Sequence, residues 1–356
     1  MRVEDLDTPV LTVDLDILEK NIRYMAEHCR ELDIGLRPHI KTHKIPEIAH
    51  MQLAAGAVGI CCQKLGEAEV MAAAGIKDIL ITYNIVGKQK LERLTRLAKR
   101  VNLTVTVDSS YVAAGISKQA QEDDCEVGVL VELDTGGART GVQSPKEALK
   151  LAEEILKMPG LNLRGLMTYP SHRRAKPFIE ETVNLFKKRG IPVEVISGGG
   201  TGLEEVSKEI GCTETRSGSY VFEGPKRISV PENPPNPETC ALRLVTTVVS
   251  TPTPNRVIVD AGQKSLTLFV NFFRPRPPPP YYGYIVEYPE AKMYGMSVEH
   301  GHIDVSACKH RFKIGEKLSI IPVHQGMTLN LHDELVGVRK GKVEVIWEVA
   351  ARGKIR

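Results

Sequence analysis

Lys41 is the first residue whose type and position suggest chemistry. It ends the apolar run GLRPHIK at residues 35–41, which has the character of a buried strand. Desolvation at such a strand end disfavours the ammonium, lowers the pKa and frees an amine for Schiff-base formation. The alternative is that Lys41 and Lys44 are solvated lysines of a loop.

A glycine-rich segment, VISGGGTG at residues 195–202, follows a later apolar run and precedes a helix that we predict to begin near residue 203. Consecutive bare amides at a helix N-terminus form a site for an anion such as phosphate. The residues that would bind this anion are Ser197, Gly198, Gly199, Gly200 and Thr201. A tight turn would also favour three glycines here.

Arg139 lies in a third segment, ELDTGGARTGV at residues 132–142, again directly after an apolar run. Its guanidinium could donate hydrogen bonds to a ligand oxygen. It could instead pair with Asp134, and the sequence leaves both interpretations open.

Eight short apolar runs would position these side chains. They are rich in β-branched residues and alternate with segments of helical periodicity, as buried parallel strands and their crossover helices do. The runs span residues 35–41, 59–62, 78–83, 103–107, 127–133, 163–169, 193–197 and 213–218. The pattern predicts a (β/α)8 barrel, whose active site lies at the carboxyl ends of the strands. A doubly wound open sheet is the second choice.

One of the intervening segments, SPKEALKLAEEILK at residues 144–157, shows clear helix signals. Ser144 can cap the helix, Pro145 suits its first position and Glu147 can complete a capping box. We therefore predict a helix that begins at this point.

The sequence changes character after about residue 230. A proline-rich linker, VPENPPNPET, precedes β-like runs, and RKGK at residues 339–342 indicates a hairpin. The stretch RPRPPPPYYG at 274–283 suggests a stiff loop. We predict a barrel domain at residues 1–230 and an all-β domain at 236–356, with the N-terminal strand able to pack on the β domain.

Composition excludes several classes of protein. The chain has 356 residues, 42% of them hydrophobic, and a net charge of +3, which argues against a disordered chain and gives no reason to expect nucleic acid. No run of about 18 apolar residues predicts a membrane span. The acidic start MRVEDLD does not look like a signal peptide. Seven scattered cysteines without a CxxC motif indicate neither a disulfide framework nor a thiolate zinc site, and predict a reducing cytoplasm.

The order of the motifs resembles a known family. PHIKTHK, ELDTGGARTGV, GLMTYPSH, SGGGTG and ETRSGSYVF follow one another as in fold-type III pyridoxal-phosphate enzymes, the alanine racemase superfamily. The later segments VDAGQKSL, SVEHGHI, IPVHQGMTLNLHDEL and WEVAARGK resemble its D-threonine aldolase and D-serine dehydratase branch. The resemblance runs almost end to end and implies an N-terminal barrel with a C-terminal β domain.

The resemblance assigns roles to residues. Lys41 would bind pyridoxal 5'-phosphate as a Schiff base, and Arg139 would lie by the phenolic oxygen of the cofactor. Tyr169 or His172 would lie near the ring or the substrate. Arg216 and Tyr220 would line the pyridine-nitrogen or phosphate side, and which of the two faces the nitrogen stays open. The phosphate would bind Gly198, Gly199, Gly200 and Thr201, and further candidates are Gln63 and Glu67.

The sequence departs from this branch at its metal site. Relatives use a divalent ion bound by a His-x-Cys or His-x-Asp pair, and here His324 is followed by Gln325 and Gly326. Since glycine has no side chain, the usual second ligand is missing, and a lone histidine rarely holds a metal. His332 and Asp333 could replace it, as could His300 and His302. Alternatively, His332 and Asp333 form a turn and bind nothing.

The function implied by the resemblance is a lyase that acts on a D-configured β-hydroxy amino acid, by retro-aldol cleavage or, next, by dehydration. Without a metal, His324 or His300 would serve as acid or base. The alternatives are an amino-acid racemase or epimerase, and a non-catalytic protein that binds pyridoxal phosphate. The resemblance also implies a homodimer.

Overall fold

The computed structural model describes residues 1–224, 235–267 and 282–356. Its strands are β1 (Val10–Asp14), β2 (Gly35–Leu36), β3 (Ile60–Cys62), β4 (Asp78–Ile81), β5 (Asn102–Val107), β6 (Val127–Leu133), β7 (Leu161–Thr168), β8 (Val195–Gly198), β9 (Glu214–Thr215), β10 (Leu242–Thr253), β11 (Arg256–Val259), β12 (Gly283–Ile285), β13 (Lys292–Met296), β14 (Gly301–Asp304), β15 (Lys317–Pro322), β16 (Glu334–Arg339) and β17 (Lys342–Glu348).

The helices are α1 (Leu15–Glu31), α2 (Pro46–Ala54), α3 (Leu65–Ala73), α4 (Lys88–Ala98), α5 (Ser110–Glu122), α6 (Pro145–Ile155), α7 (Lys176–Lys188), α8 (Glu204–Glu209), α9 (Tyr220–Glu223) and α10 (Gln325–Leu329). No helix among the described residues is both long and apolar enough to cross a bilayer. The chain forms two compact units, one of residues 23–218 and 353–356 and one of residues 1–22 and 219–352.

The first unit contains the eight predicted strands, β2 to β9, in one parallel sheet with the order β2-β9-β8-β7-β6-β5-β4-β3. The segment after β2 also pairs in parallel with β3, through a bridge between His39 and Cys61. The amide of Cys61 donates to the Pro38 carbonyl at 2.8 Å, and that of Val58 donates to Leu36 at 2.9 Å. These bonds join the two edges of the sheet, so the barrel prediction is confirmed and the open sheet is excluded.

Helix α6 begins as the sequence predicts. The Ser144 side chain accepts a hydrogen bond from the amide of Glu147, and Pro145 occupies the first turn. The Glu147 carboxylate accepts from the amide of Gln143 at 2.8 Å, one residue before the cap. Both bonds satisfy amides that a helix N-terminus would leave without a partner.

The second unit is mostly β. β1 pairs antiparallel with β10 and in parallel with β16, so the first residues of the chain belong with the C-terminal strands. The predicted hairpin at residues 339–342 joins β16 to β17, and Lys340 and Gly341 take positive φ angles of 50° and 75°. The short helix α10 interrupts the strands. The linker residues 230–234 and the proline-rich loop at 274–281 lie outside the described residues.

Two ion pairs of the buried Arg37 constrain the start of β3. Arg37 donates to the Asp78 carboxylate at 2.5 Å and to the Glu214 carboxylate at 2.8 Å. A Cβ atom on Gly59 would overlap the Arg37 guanidinium and lie 2.5 Å from Asp78 Oδ1. Glycine is therefore required at residue 59 for the two side chains to meet.

We expect Gly59→Ala to lower the free energy of unfolding of the barrel by about 2–3 kcal/mol, because the methyl group forces the pair apart in a packed site. Chemical denaturation followed by circular dichroism measures this change. Gly115→Ala in α5 is the matched control, because its Cβ would find its nearest neighbour at 3.5 Å. It should leave stability unchanged or raise it slightly. Equal effects of the two substitutions would contradict the steric argument.

Candidate active site

Lys41 lies at the carboxyl edge of the barrel. After β2 the chain passes through His39, which pairs with β3, into a single 3₁₀ turn formed by residues Ile40–Thr42. Burial of the amine among the surrounding protein atoms lowers the pKa of Lys41, and the charges of Arg139 and Arg216 lower it further. Nearby Tyr169 and Cys61 oppose the shift. Part of the side chain reaches solvent. Lys41 is therefore an accessible amine that loses its proton more readily than an ordinary lysine.

Gln63 holds the amine in place. Its Oε1 lies 3.4 Å from Lys41 Nζ and 3.2 Å from His39 Nε2, and its own amide group donates to the Thr82 carbonyl at 3.0 Å. Burial lowers the pKa of His39 well below its usual value, so the imidazole is neutral. Gln63 thus presents a fixed acceptor to Lys41.

Glu67 anchors the loop that carries Gln63. Its carboxylate accepts from the amides of Gln63 at 2.7 Å and Lys64 at 3.1 Å, and it pairs with Lys44 at 3.4 Å. The side chain is buried. Glu67 and Lys44 therefore join the loop after β3 to the loop after β2, and Lys44 is no solvated lysine.

Arg139 pairs with Glu132, an acid that was not among the residues predicted for the site. The closest N–O distance is 3.6 Å, and the guanidinium carbon lies 5.1 Å from the centre of the Tyr169 ring. Burial raises the pKa of Glu132, although Thr140 donates to it at 2.7 Å. Asp134, the partner considered above, instead accepts from the amides of Gly136 and Ala138 at 3.0 Å each. Glu132 could have been predicted from the sequence, because it is an acidic residue inside the apolar run VGVLVEL.

Tyr169 links Arg139 and Lys41 at this edge. Lys41 Nζ lies 5.9 Å from the centre of its ring, so the ring lies within reach of both cations. His172 lies beyond it, with Nε2 at 3.5 Å from Thr135 Oγ1, which in turn bonds Thr168 at 2.7 Å. The end of β7 therefore adds an exposed aromatic ring and a histidine to the site.

The glycine-rich loop follows β8 and precedes α8, the helix predicted to begin near residue 203, whose N-cap is Leu203. The carboxylate of Glu204, the first residue of α8, accepts from the amide of Gly202 at 3.1 Å and from the Ser217 hydroxyl at 2.5 Å. The expected helix N-terminus is therefore occupied by an acidic side chain. Gly199 donates its amide to Ser171 at 2.8 Å, and Thr201 Oγ1 accepts from the amide of Gly218 at 3.1 Å.

The amide of Gly200 has no acceptor among the described residues. Its φ of 126° is one that glycine adopts freely. A Cβ atom on Gly199 would lie 2.7 Å from the amide nitrogen of Arg216, so glycine lets the two segments approach. The loop therefore remains a candidate phosphate site through its backbone.

Ser197 and Arg216 are both buried and bond to each other. Arg216 Nη1 donates to Ser197 Oγ at 2.6 Å and Nη2 donates to the Thr168 carbonyl at 2.9 Å. Ser197 in turn donates its proton to Glu214 at 2.6 Å. The hydroxyl of Ser197, predicted to bind phosphate, is thus committed inside the protein. Glu214 had no signal in the sequence beyond its place in the run TETRSG.

We call the series Arg37, Glu214, Ser197 and Arg216 the buried polar chain. Arg37 Nε donates to the second oxygen of Glu214 at 2.8 Å. Burial alone would lower the pKa of Arg37, but Glu214 and Asp78 raise it overall. The buried polar chain therefore runs from the ion pair with Asp78 on β4 to Arg216, the arginine that acts electrostatically on Lys41.

The remaining predicted residues belong to the second unit. Tyr220 is buried at the start of α9, and His300 is exposed between β13 and β14. His324 caps α10 by accepting from the amide of Met327 at 3.1 Å. His332 Nε2 bonds the Ser265 carbonyl at 2.9 Å, and Asp333 forms an ion pair with Arg352. His302 lies on β14, 3.5 Å from the Ser297 hydroxyl.

No group of three or more histidine, cysteine, aspartate or glutamate side chains capable of holding a metal ion occurs within residues 1–224, 235–267 and 282–356. The predicted ligands His324, His332 and Asp333 each have a protein partner instead.

The residues of the first unit fit pyridoxal phosphate. An amine with a lowered pKa, an arginine paired with an acid, an exposed aromatic ring and a glycine loop with an open amide lie around one barrel edge. These are the groups that a phosphorylated aldehyde with an aromatic ring requires.

Two family models match the chain. The model described as the N-terminal domain of alanine racemase matches residues 13–224, and the one described as a putative serine dehydratase domain matches residues 241–338. The first match spans nearly all of the first unit, and the second covers much of the second unit.

Several characterised proteins are similar over nearly the whole chain. A D-threonine aldolase from Arthrobacter sp. is 38% identical over 98% of this chain and 93% of its own. A 3-hydroxy-D-aspartate aldolase from Paracoccus denitrificans is 34% identical over 99% of this chain and 94% of its own. The crystal structure of a D-threonine aldolase from Filomicrobium marinum superposes with a TM-score of 0.90 at 33% identity, covering 100% of this chain and 98% of that one.

The barrel, the lysine at its edge and these similarities agree with the family expected from the motifs. The chain belongs to the fold-type III pyridoxal-phosphate enzymes of the alanine racemase superfamily, in the D-threonine aldolase and D-serine dehydratase branch.

Proposed function

We propose that this protein is a pyridoxal-phosphate-dependent lyase that acts on a D-configured β-hydroxy amino acid, with retro-aldol cleavage as its main reaction and dehydration as the next candidate. The observation that carries the proposal is the meeting of Lys41, Gln63, Arg139 and Tyr169 at one barrel edge. The two aldolase relatives support the choice of aldol cleavage.

In this proposal Lys41 attaches the cofactor, Arg139 and Tyr169 contact it, the backbone of Gly198–Thr201 binds its phosphate and Arg216 lies beside it. When bound, the cofactor supplies the electron sink that stabilises negative charge at the substrate Cα.

The protein's own groups prepare this chemistry. Lys41 reaches its neutral amine form at a lower pH than ordinary lysine does, and Gln63 Oε1 accepts a hydrogen bond from Nζ. Arg139 lies between the Glu132 carboxylate and the Tyr169 ring, so it offers a positive charge to an anionic oxygen at this edge. A charge already in place lowers the reorganisation needed when the reaction occurs.

Aldol cleavage also requires a group that takes the proton of the substrate β-hydroxyl. We propose His324 or His300 for this role, since a histidine can exchange protons near neutral pH. The Met327 amide donates to His324 Nδ1, so the neutral His324 ring carries its proton on Nε2 and could take the hydroxyl proton only after this bond breaks.

A single assay distinguishes the candidate reactions. The purified protein is incubated with D-threonine, 3-hydroxy-D-aspartate, D-serine and D-alanine. Aldol cleavage yields glycine and an aldehyde, dehydration yields a keto acid and ammonia, and racemisation yields the L-enantiomer. Conversion of D-alanine into L-alanine, with no product from the other substrates, would contradict the lyase proposal and favour a racemase. Cofactor binding without any product would favour a non-catalytic protein that binds pyridoxal phosphate. The match of the second unit to a serine dehydratase model argues against that alternative.

We also propose a cytoplasmic location, because all seven cysteines are free thiols. Fractionation of the native cells tests it, and recovery outside the cytoplasm would contradict it.

A homodimer is a further prediction, which the family resemblance alone supports. Light scattering at micromolar concentration should give twice the mass of the 39.3 kDa chain. A fully active monomer would contradict it.

We expect Lys41→Ala to abolish tight cofactor binding and the visible absorbance of the bound cofactor, because no amine remains to form the Schiff base. Lys64→Ala is the control, since Lys64 stacks on Tyr83 at 3.7 Å and should not attach the cofactor. Borohydride reduction and peptide mapping should place the label on Lys41. A label on Lys44 or Lys264 would overturn the assignment.

The lowered pKa of Lys41 predicts the pH dependence of cofactor uptake. Only the neutral amine attacks the aldehyde, so uptake by the cofactor-free protein should remain fast at pH values where ordinary lysine is fully protonated. Arg139→Met removes a charge that lowers this pKa, so the midpoint of the rate profile should move to higher pH. Arg96→Met, on α4, should leave the midpoint unchanged. A midpoint that Arg139→Met leaves in place, or moves downwards, would disprove the electrostatic argument.

We predict that chelation leaves cofactor attachment intact and that any strong metal dependence involves His332 or Asp333. A tight divalent site usually needs about three protein ligands, and Gly326 supplies none. Metal analysis and activity are compared before and after chelation in wild type, His324→Ala, His332→Ala and Asp333→Ala. Stoichiometric metal that survives both His332→Ala and Asp333→Ala would refute this prediction. Gly326→Asp should raise metal affinity if His324 contributes to a site.

A further inference from the structure

The buried polar chain is not explained by the proposed reaction. Arg37, Glu214, Ser197 and Arg216 are each less than a tenth exposed, at 7%, 5%, 0% and 4%. Barrel interiors are usually filled by layers of branched apolar side chains. Replacing buried ion pairs by apolar residues is often neutral or stabilising, so stability alone gives little reason for this arrangement.

The directions of the hydrogen bonds within the buried polar chain depend on one another. Because Ser197 donates its only proton to Glu214, its oxygen is left as an acceptor aimed at Arg216. Arg37 holds the other carboxylate oxygen of Glu214 and so restricts rotation of that group. Glu214 thereby determines how Ser197 meets Arg216.

The same contacts determine how Arg216 meets a ligand. Ser197 binds Nη1 and the Thr168 carbonyl binds Nη2, so the guanidinium plane is held at two points. No acceptor among the described residues binds Nε, which leaves that N–H as a donor. The Arg216 charge also acts on Lys41 and on His39.

We propose that Glu214 and Ser197 are positioning residues that fix the Arg216 guanidinium for contact with the cofactor, and that Arg37 holds Glu214 in place for this purpose. The proposal rests on the proposed function, because Arg216 must lie beside pyridoxal phosphate. Glu214 has no predicted contact with the cofactor, and the Ser197 hydroxyl, predicted to bind phosphate, bonds Glu214 and Arg216 instead.

The test uses wild type, Ser197→Ala and Glu214→Gln. Thr106→Val is the matched control, because Thr106 is a fully buried hydroxyl on a barrel strand without a hydrogen-bond partner in the described chain. Cofactor is removed from each protein and pyridoxal phosphate is titrated back. Three quantities are measured: the dissociation constant, the pH midpoint of the visible absorbance of the bound cofactor, and the thermal unfolding midpoint of the cofactor-free protein.

We expect Ser197→Ala and Glu214→Gln each to weaken cofactor binding by roughly tenfold, the size of one lost hydrogen bond to a charged group. Each should also shift the pH midpoint of the absorbance. Thr106→Val should change the dissociation constant for pyridoxal phosphate by less than about twofold, because substitutions at sites that do not interact have nearly independent effects. If Glu214→Gln fails to fold because Arg37 loses one of its two carboxylate partners, Ser197→Ala still decides the question, since it removes a single oxygen.

Two results would overturn the proposal. One is that Ser197→Ala matches Thr106→Val in both affinity and pH midpoint. The other is that the affinity of Ser197→Ala for pyridoxal phosphate falls only in proportion to its thermal unfolding midpoint, while the pH midpoint of the absorbance does not change. That result would indicate a purely structural role. If wild type itself takes up no pyridoxal phosphate, the proposed function fails together with this inference. If wild type binds the cofactor and Ser197→Ala gives either result above, the inference alone fails.

Discussion

The parallel bridge between His39 and Cys61 is the constraint on which the site depends. It joins the segment after β2 to β3 and so closes the barrel. It also brings the loop of Lys41 beside the loop of Gln63, so that Nζ and Oε1 lie 3.4 Å apart. In an open sheet these two loops would lie at opposite edges. The environment that lowers the pKa of Lys41 is therefore a product of closure.

Charge balance is the second constraint. Arg37 and Arg216 bring two positive charges into the protein, and the buried Glu214 and the partly exposed Asp78 supply two negative ones. Charges can be buried at tolerable cost only when they are paired and hydrogen-bonded. The barrel can thus hold Arg216 near Lys41 because compensating acids lie on β4 and β9.

Local patterns in the sequence predicted much of this architecture. The eight apolar runs, the start of α6 at Ser144 and the hairpin at residues 339–342 each depend on neighbouring residues, and the structure has all of them. The position of Lys41 at a strand end follows from the same patterns. Strand periodicity also indicated which side chains would be buried.

Contacts between distant residues were not predictable in this way. The pairing of Arg139 with Glu132 rather than Asp134 depends on how the loop after β6 folds back. Ser197 looked like a phosphate donor because it precedes three glycines, and only the proximity of Glu214 shows that its proton is used elsewhere.

The pairing of β1 has a consequence for synthesis on the ribosome. Val10 pairs with Val245 and Thr12 pairs with Val336, whereas all eight barrel strands lie between these partners in the sequence. Chains emerge from the N-terminus, so the barrel strands are complete before either neighbour of β1 exists. During that interval the β1 segment lacks both of its partner strands, and an unpaired strand is a surface that other strands can join. The second unit can therefore complete its sheet only after the barrel strands have been made.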